Sequence, residues 1–199
     1  MTEELAHHEG HDWHSPQYVE EWIAEDISCD AERRPLLREL LGHAPVPVDA
    51  HLRILDVGAG YGLLSALALE EFPNAHVTLL DFSRPMLDRA QTRLAANESR
   101  TAFLLRDLTS GKWNAGLERS FDLVITGFTI HNLEKAEVIE GAYRGIISVM
   151  KPSAHFLEHD FVSFCGGRSA QEAMLNRAGF RHVRCIRDEY PTAMMDCSI

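Results

Sequence analysis

The sequence lacks a long apolar run, an N-terminal export signal and closely spaced cysteines. Its longest mainly apolar run, from Leu63 to Leu69, is far shorter than the roughly 18 residues of a membrane-spanning helix. No charged stretch followed by an apolar one opens the chain, so we expect no secretory signal. The four cysteines form no C-x-x-C pair, which is typical of reduced thiols. We therefore predict a cytoplasmic protein without a membrane span.

Positive charge is also scarce, and the deficit is uneven. The 199 residues hold 19 Lys and Arg against 30 Asp and Glu, and the formal net charge is −11. Residues 1–50 carry twelve acids and three bases, whereas residues 51–199 carry eighteen and sixteen. This balance argues against a nucleic-acid partner, which needs a basic face. We predict an N-terminal helical cap over residues 1–49 and one main domain over residues 50–199, joined near Pro45–Asp49.

The main domain alternates predicted strands with predicted helices. Two helices are expected before it, one beginning at Ser15–Pro16 and one from about Glu32 to Leu41. A long helix is predicted from Leu133 to Met150, ended by Lys151–Pro152. The alternation predicts an α/β fold with a mainly parallel sheet and helices on both faces. The predicted strands are Leu52–Val57, Ala75–Leu80, Ala102–Arg106, Phe121–Thr126, Ala154–Asp160, Arg181–Arg187 and Thr192–Cys197, the last two forming an antiparallel hairpin.

A glycine-rich turn follows the first of these strands. Its glycines, Gly58, Gly60 and Gly62, have the spacing G-x-G-x-G, whereas a dinucleotide site has G-x-G-x-x-G. Glycines let the backbone approach a ligand closely, and the helix after the turn offers unpaired N–H groups. Asp56, just before the turn, is a poor neighbour for a pyrophosphate but suits a ligand with an ammonium or sulfonium group. The turn therefore predicts a cofactor site without a pyrophosphate.

A second acidic residue lies at the end of the next strand. Asp81 comes about 20 residues after the glycine turn, the spacing at which a carboxylate accepts hydrogen bonds from a ribose diol. A nucleoside with a cationic group and no phosphate matches both acids. We therefore predict S-adenosylmethionine as the cofactor.

Several motifs in order resemble the class I S-adenosylmethionine-dependent methyltransferases over roughly residues 50–199. The resemblance implies a Rossmann-like fold with seven strands. It also implies that Asp81 binds the ribose, that Phe82 lies beside the adenine and that Asp107 binds the adenine amino group, with Leu108 and Thr126 in the same site. The motifs are Ile54–Gly62, Leu80–Ser83, Arg106–Leu108, Phe121–Thr126, His131–Leu133, Met150–Ser153 and Ala178–Phe180.

Two histidines are candidate catalytic bases. His131 follows the fourth strand and His159 ends the fifth, at the rim where the family places its substrate. Imidazole titrates near neutral pH and can take a proton from an acceptor. His159 and Asp160 are strand neighbours that point to opposite faces, so we expect at most one of them to point inward. The alternative for both histidines is an ordinary packed residue.

The N-terminal segment is a candidate substrate lid. The connection after the fifth strand, Phe161–Arg168, is too short to cover a substrate, so this task is assigned to the aromatic residues Trp13, His14, Tyr18 and Trp22. The alternative is plain helix packing. His7, His8, His11 and His14 are interpreted as part of a polar tail, and no metal site is predicted.

These observations favour an enzyme that moves a methyl group to an O, N or C atom of a small organic acceptor and leaves S-adenosylhomocysteine. The acidic cap favours a neutral or cationic substrate over a polyanionic one, and a homodimer stays open. The alternatives are a protein of the same fold with a non-methylating role, a nicotinamide-dependent oxidoreductase, and a tRNA or protein methyltransferase.

Overall fold

A computed structural model describes residues 11–199, and helices and strands alternate through most of that range. The α-helices are α1 (Pro16–Asp26), α2 (Asp30–Gly42), α3 (Leu63–Glu71), α4 (Arg84–Arg93), α5 (Ala136–Val149) and α6 (Arg168–Ala178). The strands are β1 (Arg53–Val57), β2 (His76–Asp81), β3 (Thr101–Leu105), β4 (Phe121–Gly127), β5 (Met150–Phe161), β6 (His182–Glu189) and β7 (Thr192–Ser198). Within residues 11–199, no helix combines the length and the apolar character needed to cross a bilayer.

The seven strands form one sheet in the order β3-β2-β1-β4-β5-β7-β6. The pairs among β1 to β5 are parallel, whereas β7 pairs antiparallel with both β5 and β6. Two residues, Tyr190 and Pro191, separate β6 from β7, which is too short a connection for a parallel crossover. The predicted fold class and the C-terminal hairpin are therefore confirmed.

The sheet separates two apolar cores. One core combines the first helices with α3 and α4, and it includes Val19, Ile23, Leu37 and Leu40, each at most 3% exposed. The other lies under α5 and α6. The N-terminal segment therefore packs into the same core as the main domain.

Two serines begin helices, and the start at Ser15 was predicted. The Ser15 side chain accepts a hydrogen bond from the Tyr18 amide, and the Ser83 side chain accepts one from the Met86 amide. A proline follows each serine in the first turn of α1 or α4. This arrangement satisfies an otherwise unpaired N–H at each helix start.

The prediction of one long helix from Leu133 to Met150 was wrong. A 3₁₀ turn covers Ile130–Leu133, Glu134 has a φ of +55°, and α5 begins only at Ala136. The backbone at Glu134 cannot continue a right-handed helix. At the other end, Met150 already pairs with Phe121, so β5 begins four residues earlier than expected and includes Pro152.

Candidate active site

The glycine turn after β1 forms one wall of a cavity of about 440 Å³. Gly58, Gly60 and Gly62 have φ values of +66°, +53° and +83°, in the left-handed region that favours glycine. A Cβ atom on Gly58 would lie 2.0 Å from Thr129 Cγ2, whereas one on Gly60 would meet nothing within 4 Å. The turn therefore packs against the segment after β4 at Gly58 and presents open backbone to the cavity at Gly60.

Two buried carboxylates flank this wall. Asp56 accepts a hydrogen bond from Ser65 Oγ at 2.6 Å, and burial raises its pKa to about 7. Asp81 accepts hydrogen bonds from the amides of Gly60 at 2.9 Å and Ser83 at 2.8 Å, and burial raises its pKa as well. Both residues line the cavity. Two neighbouring acids with raised pKa values favour the binding of a cationic ligand, because the positive charge of the ligand stabilises their ionised forms.

The part of the cavity beyond Asp81 suits a flat base. Phe82 is 41% exposed there, and Asp107 and Leu108 lie on the turn after β3. The Asp107 carboxylate accepts hydrogen bonds from the amide and hydroxyl of Thr109, both at 2.8 Å. Gly60, Asp81, Phe82 and Asp107 thus border one space, so the residues present fit the predicted nucleoside cofactor.

Two predicted cofactor residues do not line the cavity. Thr126 is fully buried in β4, and its hydroxyl donates to the carbonyl of Val57 at 2.7 Å. Gly62 faces α4, where an added Cβ would lie 3.1 Å from the Ala90 Cβ. Both residues hold the glycine turn in place from behind, and the structure assigns them no direct contact with the cavity.

His131 lines the cavity and forms a pair with Asp160. The His131 Nδ1 lies 2.5 Å from Asp160 Oδ1, although the residues are 29 positions apart. The other carboxylate oxygen accepts hydrogen bonds from the backbone amides of Thr129, Ile130 and His131 at 3.2, 2.6 and 3.2 Å. Burial by itself would raise the pKa of Asp160, but the His131 ring and the amides of His131 and Phe161 hold that pKa below its usual range. Asp160 is therefore an anion that orients the imidazole.

His159 lies on the other face of β5, outside the cavity lining. Its side chain is 2% exposed, and its ring is 4.7 Å from the ring of Phe128. Burial lowers its pKa to about 4, so the imidazole is neutral. The expected alternation of faces is observed, and it is Asp160 that points towards His131. The structure does not bring the candidate base His159 to the site.

Three of the four predicted lid residues line the cavity: Trp13, His14 and Trp22. The Trp13 carbonyl accepts a hydrogen bond from Ser83 Oγ at 2.5 Å, and the His14 ring meets Phe82 edge-on at 5.4 Å. Tyr18 does not line the cavity but packs against Trp13 at 5.5 Å. The segment before α1 thus covers the part of the cavity around Phe82.

The histidine-rich tail is only partly described. His7 and His8 lie outside the described residues, whereas His11 stacks on Trp13 at 5.0 Å between ring centres. Across residues 11–199, no group of three or more His, Cys, Asp or Glu side chains is arranged to hold a metal ion.

A polar cluster around Tyr61 was missed at the level of sequence. The Tyr61 hydroxyl donates to Asp26 Oδ2 and Asp30 Oδ1, both at 2.8 Å. Arg33 forms an ion pair with Asp26, and the Arg93 guanidinium lies 4.6 Å from the centre of the Tyr61 ring. The sequence does contain a signal for this cluster, because Tyr61 is an aromatic residue inside the glycine turn. Its partners are 31 and 35 positions away, so only the folded chain identifies them.

Comparisons with known proteins agree on the family. The family model described as a methyltransferase domain matches residues 55–156. A demethylmenaquinone methyltransferase of Leptospira interrogans is 38% identical over 113 residues, covering 55% of this chain and 43% of that protein. A malonyl-[acyl-carrier protein] O-methyltransferase of Acetivibrio thermocellus is 33% identical over 97 residues, covering 49% and 32%. The chain thus spans less than half the length of these two curated relatives.

Solved structures agree on the fold. An O-methyltransferase family protein from Burkholderia thailandensis aligns with a TM-score of 0.74 at 15% identity, over 93% of this chain and 60% of that one. A SAM-dependent methyltransferase from Aquifex aeolicus aligns with a TM-score of 0.70 at 16% identity, over 92% and 97%. With a family match over half of its length, the chain belongs to the class I S-adenosylmethionine-dependent methyltransferases.

Proposed function

We propose that this protein transfers the methyl group of S-adenosylmethionine to a small organic acceptor whose nucleophilic atom must lose a proton, and releases S-adenosylhomocysteine. The observation that carries the proposal is the His131–Asp160 pair, which borders the same cavity as Asp56, Asp81 and the glycine turn. When bound, the cofactor supplies an electrophilic methyl group. The proposed base and the proposed cofactor site therefore border one cavity.

The residues of this chain have three tasks in that reaction. Asp160 holds the proton of His131 on Nδ1, so Nε2 is the ring nitrogen that accepts a proton from the acceptor. General-base catalysis of this kind contributes about 10²- to 10⁴-fold to a rate. Asp56 and Asp81 hold the cationic and ribose ends of the cofactor, and the residues before α1 exclude water.

The acceptor class follows from the cavity and the charges around it. A cavity of about 440 Å³ must hold both the cofactor and the acceptor, which favours a small acceptor. The acidic N-terminal segment favours a neutral or cationic one. The names of the two relatives specify different acceptors, so they support an organic acceptor but no particular compound. A cytoplasmic location and a homodimer stay predictions.

A screen of small hydroxyl, amine and carbon acceptors tests this function, with S-adenosylhomocysteine release as the readout. We expect release to depend on an acceptor and to be lost when His131 is replaced by alanine. Cofactor binding without product release for any acceptor, tRNA or protein would instead support the non-methylating alternative. Tight binding of NADH with no binding of S-adenosylmethionine would overturn the cofactor assignment.

Cofactor affinity should depend on pH through Asp56. Because its pKa is about 7 in the protein without ligand, this carboxyl is largely protonated at pH 6 and mostly ionised at pH 7.5. Only the ionised form attracts the ammonium group of the ligand, so affinity falls as the pH falls through 7. We expect calorimetric titration with S-adenosylhomocysteine to give about eightfold weaker binding at pH 6 than at pH 7.5. Asp56→Asn should bind weakly at both pH values, and equal affinities in the parent protein would contradict the assignment.

Removal of residues 1–14 should separate cofactor binding from turnover. The truncation ends before Ser15 because Val19 of α1 is fully buried in the core. It removes Trp13 and His14 from the cavity while α1 keeps its N-cap. We expect measurable binding of S-adenosylhomocysteine but turnover lowered by about 10²-fold, since water enters and the acceptor is misplaced. A truncation of residues 1–10 is the control, and full turnover after the longer truncation would contradict the lid.

A further inference from the structure

We propose that Tyr61 is a positioning residue that couples the cofactor turn to the wall of the acceptor pocket, so that cofactor binding orders the helices that surround the acceptor. This inference rests on the proposed function, which assigns one part of the cavity to the cofactor and the part beside His131 to the acceptor. It is carried by a continuous set of contacts from the glycine turn through α1 and α2 to the end of β4.

The first contact joins the glycine turn to the N-terminal helices. Tyr61 lies between Gly60 and Gly62, so its backbone moves with the turn that faces the cofactor. Its hydroxyl donates to Asp26 at the end of α1 and to Asp30 at the start of α2, both at 2.8 Å. Asp26 is only 7% exposed, so little water competes for this bond.

The second contact carries the connection to the acceptor side. Arg33 of α2 pairs with Asp26, and its guanidinium lies 5.4 Å from the centre of the Phe128 ring. Phe128 lines the cavity three residues before His131, and its φ of +56° places it in a conformation that non-glycine residues rarely adopt. A shift of Arg33 therefore moves the wall beside the proposed base.

The Tyr61 hydroxyl also permits two arrangements. It has one proton to donate, yet two carboxylates lie at the same distance from it. Arg93 of α4 packs on the ring and lies 3.7 Å from Asp30, so each carboxylate has its own arginine. A small displacement of the turn therefore strengthens one hydrogen bond at the expense of the other and redistributes the contacts of α1 and α2.

This coupling has a thermodynamic consequence. If cofactor binding favours one arrangement of the helices, acceptor affinity changes by a given factor, and the acceptor changes cofactor affinity by the same factor. Couplings of this kind amount to about 5- to 150-fold. We expect this coupling between the cofactor and the acceptor to depend on the Tyr61 hydroxyl.

Amide hydrogen exchange with and without saturating S-adenosylhomocysteine tests the coupling, and it requires no acceptor. In the parent protein we expect the ligand to slow exchange in α2 by at least about fivefold. In Tyr61→Phe the ring still packs under Arg93, so we expect ligand-dependent protection of the glycine turn to remain and that of α2 to disappear. Tyr190→Phe is the matched control, because Tyr190 is 73% exposed in the β6–β7 turn and should behave as the parent.

Two results would overturn the proposal. One is equal ligand-dependent protection of α2 in the parent and in Tyr61→Phe. The other is faster exchange of α2 in Tyr61→Phe by the same factor with and without ligand, which is what a merely structural bond produces. Calorimetry of the same samples reports whether S-adenosylhomocysteine binds at all, so a failure of the cofactor assignment is distinguished from a failure of the coupling.

Discussion

Replacing His131 by alanine is expected to lower kcat for methyl transfer by about 10²- to 10⁴-fold, while S-adenosylhomocysteine still binds. The physical reason is that, in the proposed function, the imidazole oriented by Asp160 takes the proton of the acceptor as the methyl group is transferred. Stopped assays of S-adenosylhomocysteine release with the acceptor identified by screening measure the loss. Binding of S-adenosylhomocysteine to the same variant, measured by calorimetry, separates a loss of turnover from a loss of cofactor affinity.

The chain provides a matched control for this variant. His155 lies on β5 and, like His131, pairs through Nδ1 with an aspartate, Asp196, at 2.7 Å, but it does not line the cavity around the glycine turn. His155→Ala therefore removes a histidine–aspartate pair without touching the proposed base, and we expect it to leave kcat unchanged. Equal losses in the two variants would show that histidine removal acts through stability. A loss in His159→Ala and none in His131→Ala would assign the base to His159.

Replacing Asp81 by alanine is expected to weaken S-adenosylhomocysteine binding by roughly 1.5–3 kcal/mol, which is about 10- to 150-fold. The carboxylate is buried at the end of β2 and lines the cavity, so it can accept further hydrogen bonds from a ligand there. Removing it takes away the hydrogen bonds proposed to the ribose diol and also leaves the Gly60 amide without its acceptor. Isothermal titration calorimetry measures the change.

A control on the helix that follows β2 separates the loss of a binding residue from the loss of any surface aspartate. Asp88 is exposed on α4, and Asp88→Ala should bind S-adenosylhomocysteine as the parent does. The melting temperature of Asp81→Ala without ligand reports any loss of the Gly60 and Ser83 hydrogen bonds on its own. Unchanged affinity in a folded Asp81→Ala protein would remove Asp81 from the ribose site.

Local patterns in the sequence were sufficient to bring most of the proposed cofactor residues to one cavity. Asp56, Gly58 and Gly60 are close in the chain, and Asp81 ends the neighbouring strand, so the parallel pairing of β1 with β2 brings them together without further information. Thr126 was predicted in the same site, but its side chain donates to the Val57 carbonyl and does not line the cavity.

Long-range contacts decided the rest of the site. Strand alternation predicted that at most one of His159 and Asp160 would face inward, yet nothing in β5 itself specifies which one. The answer depends on the 3₁₀ turn after β4, whose backbone amides converge on Asp160. The acidic N-terminal segment is a second case, because its sequence does not show that Asp26 is buried against Tyr61.

The sequence by itself therefore determined the family, the fold and the cofactor turn of this protein, because those features depend on neighbours in the chain and on the pairing of successive strands. Only the tertiary structure decided which histidine meets a carboxylate and how the N-terminal helices attach to the glycine turn. Those contacts join residues 29 to 35 positions apart, and their partners are chosen by packing across the sheet rather than by local periodicity.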